Sequence, residues 1–476
     1  MNICYYNWSN VRERNIRGGG VDVYQRNILK NSSLIDGEVF FISSGCSFTP
    51  PFKKPFFVKD GNCAVIYNSN TIAPASFAFA SPEQLEAPDT EKVFISTLAS
   101  FGNIDILHFN NLEGIPVRTL KIIKEKFPKI KIVLSLHNYY TLCPQVDLFF
   151  ANDQNCINYD NGKRCLKCAK RKSATLVKSH YYVGGVLDKF NIKENDIASR
   201  IIHKITRKTV STLFKEKVRN EREITENEMN SQRRDYFIDS INKYVDLIIP
   251  VSKRVEEIFI RHGINGKKSK VIYIGTAHSS FFNNSKERAF LDFSKNKKIT
   301  LCYLGYMRKS KGFPFLLEAL GKLDQRIAKN INLVIAAKKD NEYLPMLYEV
   351  AKSFNKIEYH DGYTHNNLSD ILKNVDLGIV PPIWEDNLPQ VAIEMHCRHI
   401  PILTSDLGGA SELHNRNKYF TFRSGDVSSF NEKLIFFLSN FNNIDLNYFE
   451  NSLTPISLKE HLHILNNEYM TLINNK

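Results

Sequence analysis

The chain has 476 residues, 43% of them hydrophobic and 24% charged, and its 64 Lys and Arg against 50 Asp and Glu give a net charge of +14. That length exceeds one ordinary hydrophobic core and predicts two domains, while the composition excludes a disordered or collagen-like chain. No apolar stretch reaches the length of a membrane span, and the opening MNICYYNWSN lacks the charged lead and apolar core of a secretory leader, so a cytoplasmic protein is expected.

In chain order, the runs MNICYYN, EVFFIS, DILHFN, KIVLSLH and VDLIIPVS alternate with helical patterns. After a polar stretch, GTAHSSFFNNSKERAF, the same rhythm resumes with KITLCYLG, INLVIAA, KIEYHDG, VDLGIVPP and IPILTSD. Strands alternating with helices predict parallel sheets covered on both faces, an α/β class with two doubly wound domains. The expected boundary falls near residue 277, giving domains over 1–276 and 277–455. A helical tail over 456–476 is expected to cross back to the first domain.

Ligands of such sheets collect at the carboxyl ends of the strands, and the unusual residues fall there. RGGGVD places Gly18, Gly19 and Gly20 just before an amphipathic helix, where backbone amides can approach a phosphate or an acceptor hydroxyl, or simply make a tight turn. His108 ends DILHFN and His137 follows KIVLSL; a histidine at a strand tip can meet a sugar hydroxyl or serve a structural role. GYMRKSKG brings Arg308 and Lys311 to a strand-to-helix joint, a natural clamp for a diphosphate. WEDNLPQVAIEM carries Glu385, Asp386 and Glu394 after a buried-looking strand, with Pro389 opening a helix. Acids also suit helix N-termini for their own sake.

The region from about 145 to 240 interrupts the rhythm and reads as an insertion. Cys143, Cys156, Cys165 and Cys168 group together, with CLKC a candidate half of a structural zinc site and plain reduced thiols the alternative. Beyond them Ile197, Ile201, Ile205, Leu213 and Val218 recur at helical spacing among Lys and Arg. That basic amphipathic helix would lie on an anionic membrane or pack on its own domain.

Taken in order, GGGV, PVSKRVEEIF, GYMRKSKG, WEDNLPQVAIE and SDLGGASEL resemble family four of the retaining glycosyltransferases, which have the GT-B fold. The most specific part is an acid, seven residues, then Glu, here Asp386 to Glu394. The resemblance implies that Arg308 and Lys311 hold the donor diphosphate, Glu394 binds the nucleotide ribose, and Asp386 contacts the donor sugar. It further implies phosphate contacts from backbone amides around Asn387, Leu388 and Pro389, a base-binding loop at Gly362 and Tyr363, and an active-site role for His137. Gly19 and Gly20 match the loop that closes over diphosphate and acceptor. Two departures stand out. The first acid is Asp386 with Glu385 beside it, leaving open which faces the sugar, and Tyr306 occupies the position where the family has its Arg.

The expected function is therefore transfer of a sugar from a nucleotide-sugar donor to a glycan or lipid-linked acceptor with retention of configuration. Catalysis would require no cofactor, because cations and amides carry the leaving diphosphate. Family habit suggests bacterial surface polysaccharide synthesis (O-antigen or capsule), at the inner face of the cell membrane. The alternatives are a nucleotide-sugar epimerase or hydrolase of the same fold, and a basic zinc-containing scaffold for nucleic acid. No nucleic-acid recognition signature accompanies the charge, so nucleic acid is not the expected partner.

Overall fold

A computed structural model describes residues 1–13, 19–79, 81–168, 173–190, 192, 196, 201–204, 206, 220–284 and 298–474. The proposed basic helix over 197–219 lies largely outside these residues, as does Gly18.

The first sheet has seven strands: β1 (Ile3–Asn7), β2 (Val39–Ser47), β3 (Phe56–Asp60), β4 (Cys63–Tyr67), β5 (Ile106–Phe109), β6 (Lys131–Leu136) and, later in the chain, β9 (Leu247–Pro250). Their order is β3-β4-β2-β1-β5-β6-β9. All pairs are parallel except the β3–β4 hairpin. The two-residue strands β7 (Phe149–Phe150) and β8 (Gln154–Asn155) pair only with each other. The second sheet contains β10 (Ile299–Tyr306), β11 (Ile331–Lys338), β12 (Lys356–Asp361), β13 (Leu377–Val380), β14 (Ile402–Ser405) and β15 (Thr421–Phe422). It is parallel throughout, in the order β12-β11-β10-β13-β14-β15.

ICYYN at the centre of the sheet and LIIP at its edge are both buried along their whole length because helices cover both faces. Helices α1 (Gly19–Lys30), α2 (Pro88–Ala99), α3 (Thr119–Lys126), α4 (Ala174–Lys189), α5 (Asn220–Tyr244) and α6 (Lys253–Arg261) accompany the first sheet. With the second run α7 (Phe313–Gly321), α8 (Tyr343–Ala351), α9 (Gln390–His396) and α10 (Val427–Glu450). Local chemistry sets several starts. Ser252 Oγ accepts from Val255 N at the head of α6, and Asp426 Oδ1 accepts from Ser429 N at 2.9 Å at the head of α10.

The last helix, α11 (Leu458–Asn474), lies on the first sheet, where Leu462, Leu465 and Tyr469 join the cluster of Ile3, Tyr5, Ile28 and Phe41. Tyr469 reaches Tyr5 Oη at 3.1 Å and His108 Nδ1 at 2.5 Å. His108 is wholly buried and also bonds Ser135 Oγ at 2.7 Å, so this strand-tip histidine braces the core and faces no cleft.

Each sheet has a point where strand order reverses. In the second sheet, β10 is flanked by β11 and β13, so the loops leaving β10 and β13 open a crevice between them. The first sheet reverses at β1, between β2 and β5, and the chain leaves β1 toward the glycines that begin α1. Among the described residues, no helix is long and apolar enough to cross a membrane.

Candidate active site

A cavity of about 840 Å³ lies between the carboxyl ends of the two sheets. The first domain contributes Gly20, Tyr24, His137, Asn138, Val146 and Asp147. The second contributes the end of β10, Lys311, Lys338, the 362–365 loop, Trp384, the 386–391 turn and Glu394. Of the residues singled out from sequence, Gly20, His137, Lys311, Gly362, Tyr363, Asp386, Asn387, Leu388, Pro389 and Glu394 line this one space.

Lys311 follows β10 because Gly312 lets the chain turn tightly. Gly312 has φ +73°, and a Cβ there would sit 1.6 Å from the Pro381 carbonyl oxygen. Lys311 Nζ is 2.6 Å from Asp386 Oδ2 and 4.9 Å from the Trp384 ring. The sequence reading separated acids for hydroxyls from cations for phosphates; the structure pairs the two instead. In a partly desolvated cleft the two opposite charges attract strongly at this distance, and an ammonium has three donors, so one bond to Asp386 leaves others for a ligand.

Glu385 turns away from the cavity. Arg254 grips it through two bonds, Nε to Oε2 at 2.9 Å and Nη2 to Oε1 at 2.5 Å, and Gly408 N also donates to it. Asp386 is therefore the acid that faces the space. Arg308 is likewise absent from the wall: it is exposed, with its guanidinium 5.0 Å from the Tyr306 ring. Arg308 lies two residues past the end of β10, on the outer side of Tyr306, which itself borders the cavity. Lys338 supplies the second cation of the wall, at the end of β11 directly beside Tyr306. Gly19, with φ +57°, opens α1 but leaves the lining to Gly20.

Glu394 accepts from Tyr363 Oη at 2.7 Å, and burial pushes its carboxyl above the usual range. Its other oxygen lies 3.8 Å from His278 Nε2 and 3.9 Å from His365 Nδ1. These three side chains form the one group among the described residues whose ligand atoms all lie within 4.8 Å of one another. Arg398 argues against a metal there. An arginine only donates, so its Nη1 at 3.3 Å makes His278 Nδ1 an acceptor. His278 then carries its proton on Nε2 and directs it to His365 Nδ1 at 3.2 Å. Arg398, His278 and His365 form a hydrogen-bonded chain that orients His365 at the cavity edge, with the Glu394 carboxylate close by.

His137 sits 4.8 Å from the Tyr24 ring, and burial with the neighbouring His461 pushes its imidazole down to about 3, so it is neutral. Three buried polar atoms of the wall have no partner: His137 Nε2, Trp384 Nε1 and Asn387 Oδ1. Buried polar atoms are rarely left unpaired, and at a cavity wall they are groups for a polar ligand to satisfy.

Asp147 carries the feature the sequence did not signal. Burial lifts its carboxyl to about 6, partly offset by the Phe149 amide donating at 3.0 Å. Its neighbours Val146 (φ +73°) and Leu148 (φ +53°) are both left-handed, which is strained for a β-branched or bulky residue. Tyr24, Lys338, His365 and Trp384 were also passed over. Lys338 alone had a signal, as the cation ending the run INLVIAAK.

The domains meet beside the cavity. Glu412 accepts from the first amides of α6, Lys253 N at 2.9 Å and Arg254 N at 2.7 Å, and from Tyr273 Oη. Ser252 Oγ donates to Asn387 O, and the Asn387 side chain donates to His137 O. The segments PVSKRVEEIF and SDLGGASEL therefore meet each other across the interface. The four cysteines lie apart, around a second, smaller cavity (below), and no three of their sulfurs approach within 4.8 Å of one another.

Residues 284–449 match the family model described as Glycosyl transferases group 1. The chain carries a glycosyl transferases group 1 domain. It is also 24% identical over 185 residues to an uncharacterized glycosyltransferase of Methanocaldococcus jannaschii, a match covering 37% of this chain and 46% of that protein. The chain thus spans less than half the length of that curated relative. Sucrose-phosphate synthase from Thermosynechococcus elongatus superposes with a TM-score of 0.56 at 14% identity, over 100% of both chains. Anabaena HepE in complex with UDP gives 0.56 at 12% identity, over 99% of this chain and 100% of its own. A glycosyltransferase from Rickettsia africae gives 0.55 at 14% identity, over 100% and 99%. The group 1 domain sits in a GT-B fold: two Rossmann-like domains with parallel sheets facing across a cleft.

Proposed function

We propose that this group 1 domain protein transfers a sugar from a nucleotide-sugar donor to an acceptor hydroxyl, with retention of anomeric configuration. The observation that carries the reading is the convergence of Lys311, Asp386, Glu394 and His137, from the ends of three separate strands, on one cavity between the domains. Charge is distributed over it as such a reaction requires. Lys311 and Lys338 take the donor diphosphate and stabilise the charge that builds as the glycosidic bond breaks. The amides opening α9, after Pro389, add to them at a helix N-terminus. Asp386 accepts from a donor-sugar hydroxyl while tying down Lys311, and Glu394 accepts from the ribose. Gly362 and Tyr363 border the base. Arg308 makes no phosphate contact in this scheme.

The acceptor enters from the first domain. There Gly20 borders the diphosphate, neutral His137 offers an imidazole nitrogen to a sugar hydroxyl, and Asp147 accepts from the incoming hydroxyl. These residues need no metal for that chemistry. We take the acceptor to be a lipid-linked glycan of bacterial surface polysaccharide synthesis, met at an anionic membrane face that the net charge of +14 would favour.

The test is incubation of the full chain with a panel of labelled nucleotide sugars, with and without glycan acceptors, following product and anomer by NMR. Acceptor-dependent transfer with the donor's anomeric configuration is expected. Conversion of the donor without acceptor would replace this reading with an epimerase or hydrolase. Failure to sediment with anionic liposomes at low salt would remove the membrane-bound acceptor.

A further inference from the structure

Cys143, Cys156, Cys165 and Cys168 line one small cavity together with Arg164 and Arg234. We propose that this cavity is a structural metal site in which the four sulfurs, as thiolates, bind a single zinc ion. The other five cysteines belong to no such group: Cys4, Cys46, Cys302 and Cys397 are buried singly in the cores, and Cys63 is on β4.

Charge balance is the first argument. Arg233 and Arg234 are 1% and 7% exposed, yet among the described residues neither has a carboxylate within 4.0 Å. Arg233 donates to Gln84 and to the carbonyls of Tyr140 and Thr141, and Arg234 donates to the Leu142 carbonyl. Buried guanidinium groups without an anion are costly. A zinc ion with four thiolates carries a net charge of −2, set beside the cations Arg164, Arg233 and Arg234 and the Asp147 carboxylate, which all act on these sulfurs. With four neutral thiols, Arg233 has only the more distant buried carboxylate of Glu113 acting on it, and Arg234 has no carboxylate within 4.0 Å among the described residues.

The chain itself is the second. From Cys143 to Cys168 the only regular structure is the β7–β8 pair and one short turn of 3-10 helix at Lys163–Lys167. Six non-glycine residues adopt left-handed backbone there: Val146, Leu148, Ala151, Asn152, Asp160 and Asn161. A segment with so few ladder bonds and so much constrained backbone needs a crosslink to offset its ordering entropy. One supporting bond is already in place, since Ala151 N donates to Cys168 Sγ at 3.2 Å, as amides do to metal thiolates.

Tetrahedral zinc with bonds of about 2.3 Å sets its sulfurs roughly 3.8 Å apart, so ligation has to draw these four inward. Turning a cysteine between staggered χ1 wells moves its sulfur by roughly 3 Å. Four thiol protons leave as four zinc–sulfur bonds form, with no change of oxidation state.

The test measures metal, not turnover, so its outcome is independent of the proposed transfer reaction. The full chain, purified under reductant and desalted into metal-free buffer, is analysed by plasma mass spectrometry. One zinc per chain is expected, released by a mercurial reagent. The C165S/C168S variant should lose it and C63S should keep it. Because the double variant can misfold, the metal-stripped wild-type chain is also titrated with cobalt(II). It should develop the charge-transfer and d–d bands of tetrahedral thiolate cobalt at one equivalent. Absence of copurified zinc together with a featureless cobalt titration would overturn the proposal. So would a disulfide within the four in protein kept under reductant.

Discussion

Replacing Asp147 with Asn should make the first domain more stable at neutral pH while removing transfer. Burial holds the native Asp147 carboxyl at about 6 against 3.8 for an unperturbed aspartate. Between those pH values the unfolded chain has released a proton that the native state still binds. Stability therefore falls as pH rises from about 4 to 6, and the full penalty persists above. A tenfold change in proton affinity is worth about 1.4 kcal/mol, so the displacement amounts to about 3 kcal/mol, or about 2 once discounted for water reaching an open cavity. Asn keeps the shape, and its carbonyl oxygen can still accept from the Phe149 amide. The chain has two tryptophans, Trp8 in the first domain and Trp384 in the second, so in a Trp384→Phe background Trp8 fluorescence reports the domain bearing Asp147. Urea unfolding of D147N should show a gain of about 2 kcal/mol at pH 7.5, shrinking below about 1 near pH 4.5. An equal or lower stability at pH 7.5, or a gain that does not change with pH, would refute the electrostatic account.

Lys311→Ala should lower kcat by about 10²-fold or more with little change in thermal midpoint, since it removes charge aimed at the leaving diphosphate; steady-state assays decide. Lys338→Ala should weaken donor binding more than Arg308→Ala, because Lys338 lines the cavity and Arg308 lies outside on Tyr306; calorimetry with a nucleoside diphosphate ranks them. Gly312→Ala should destabilise the second domain by more than about 2 kcal/mol, combining a φ of +73° with a clash on the Pro381 carbonyl; denaturant midpoints read it. Glu412→Ala removes the acceptor for two α6 amides across the interface, so hydrogen exchange at Lys253 and Arg254 should quicken while the cores stay protected.

The strands were legible because apolar runs such as KIVLSL and LGIV must fill sheets covered on both faces. The β3–β4 hairpin was missed although FFVKDGNCAVIY places Gly61 and Asn62 between two strand-like runs, a recognisable two-residue turn. A search for parallel rhythm alone passes over it. In the second domain, Lys311, Asp386 and Glu394 all follow two adjacent strands, β10 and β13, so for them spacing along the sequence stands in for position in space. That correspondence fails where side chains choose direction. Nothing in WEDN says that Glu385 turns to Arg254, 131 residues away, leaving Asp386 to the cavity. Arg308 shows the same limit: two positions along the loop decide between wall and solvent.

The first domain hides its contribution for a different reason. Asp147 reaches the cavity from an irregular segment four residues after Cys143, where no periodicity marks a buried residue. Two unfavourable features coincide there, a desolvated carboxylate and left-handed Val146 and Leu148 on either side of it. Strain of this kind persists only where surrounding structure over-determines it. Tyr139 N donates to Val146 O and Val146 N to Cys143 O, which ties the strained residue back to the loop after β6 and to the first cysteine of the cluster. A rigid cysteine cluster would thus hold one end of the turn while the β6 loop holds the other. On this account the insertion sets where the acceptor carboxylate stands, and the second domain sets where the activated sugar waits. Removing metal from the cluster should then impair acceptor use at an unchanged affinity for nucleoside diphosphate, and an equal loss of both would mean the cluster supports the fold as a whole.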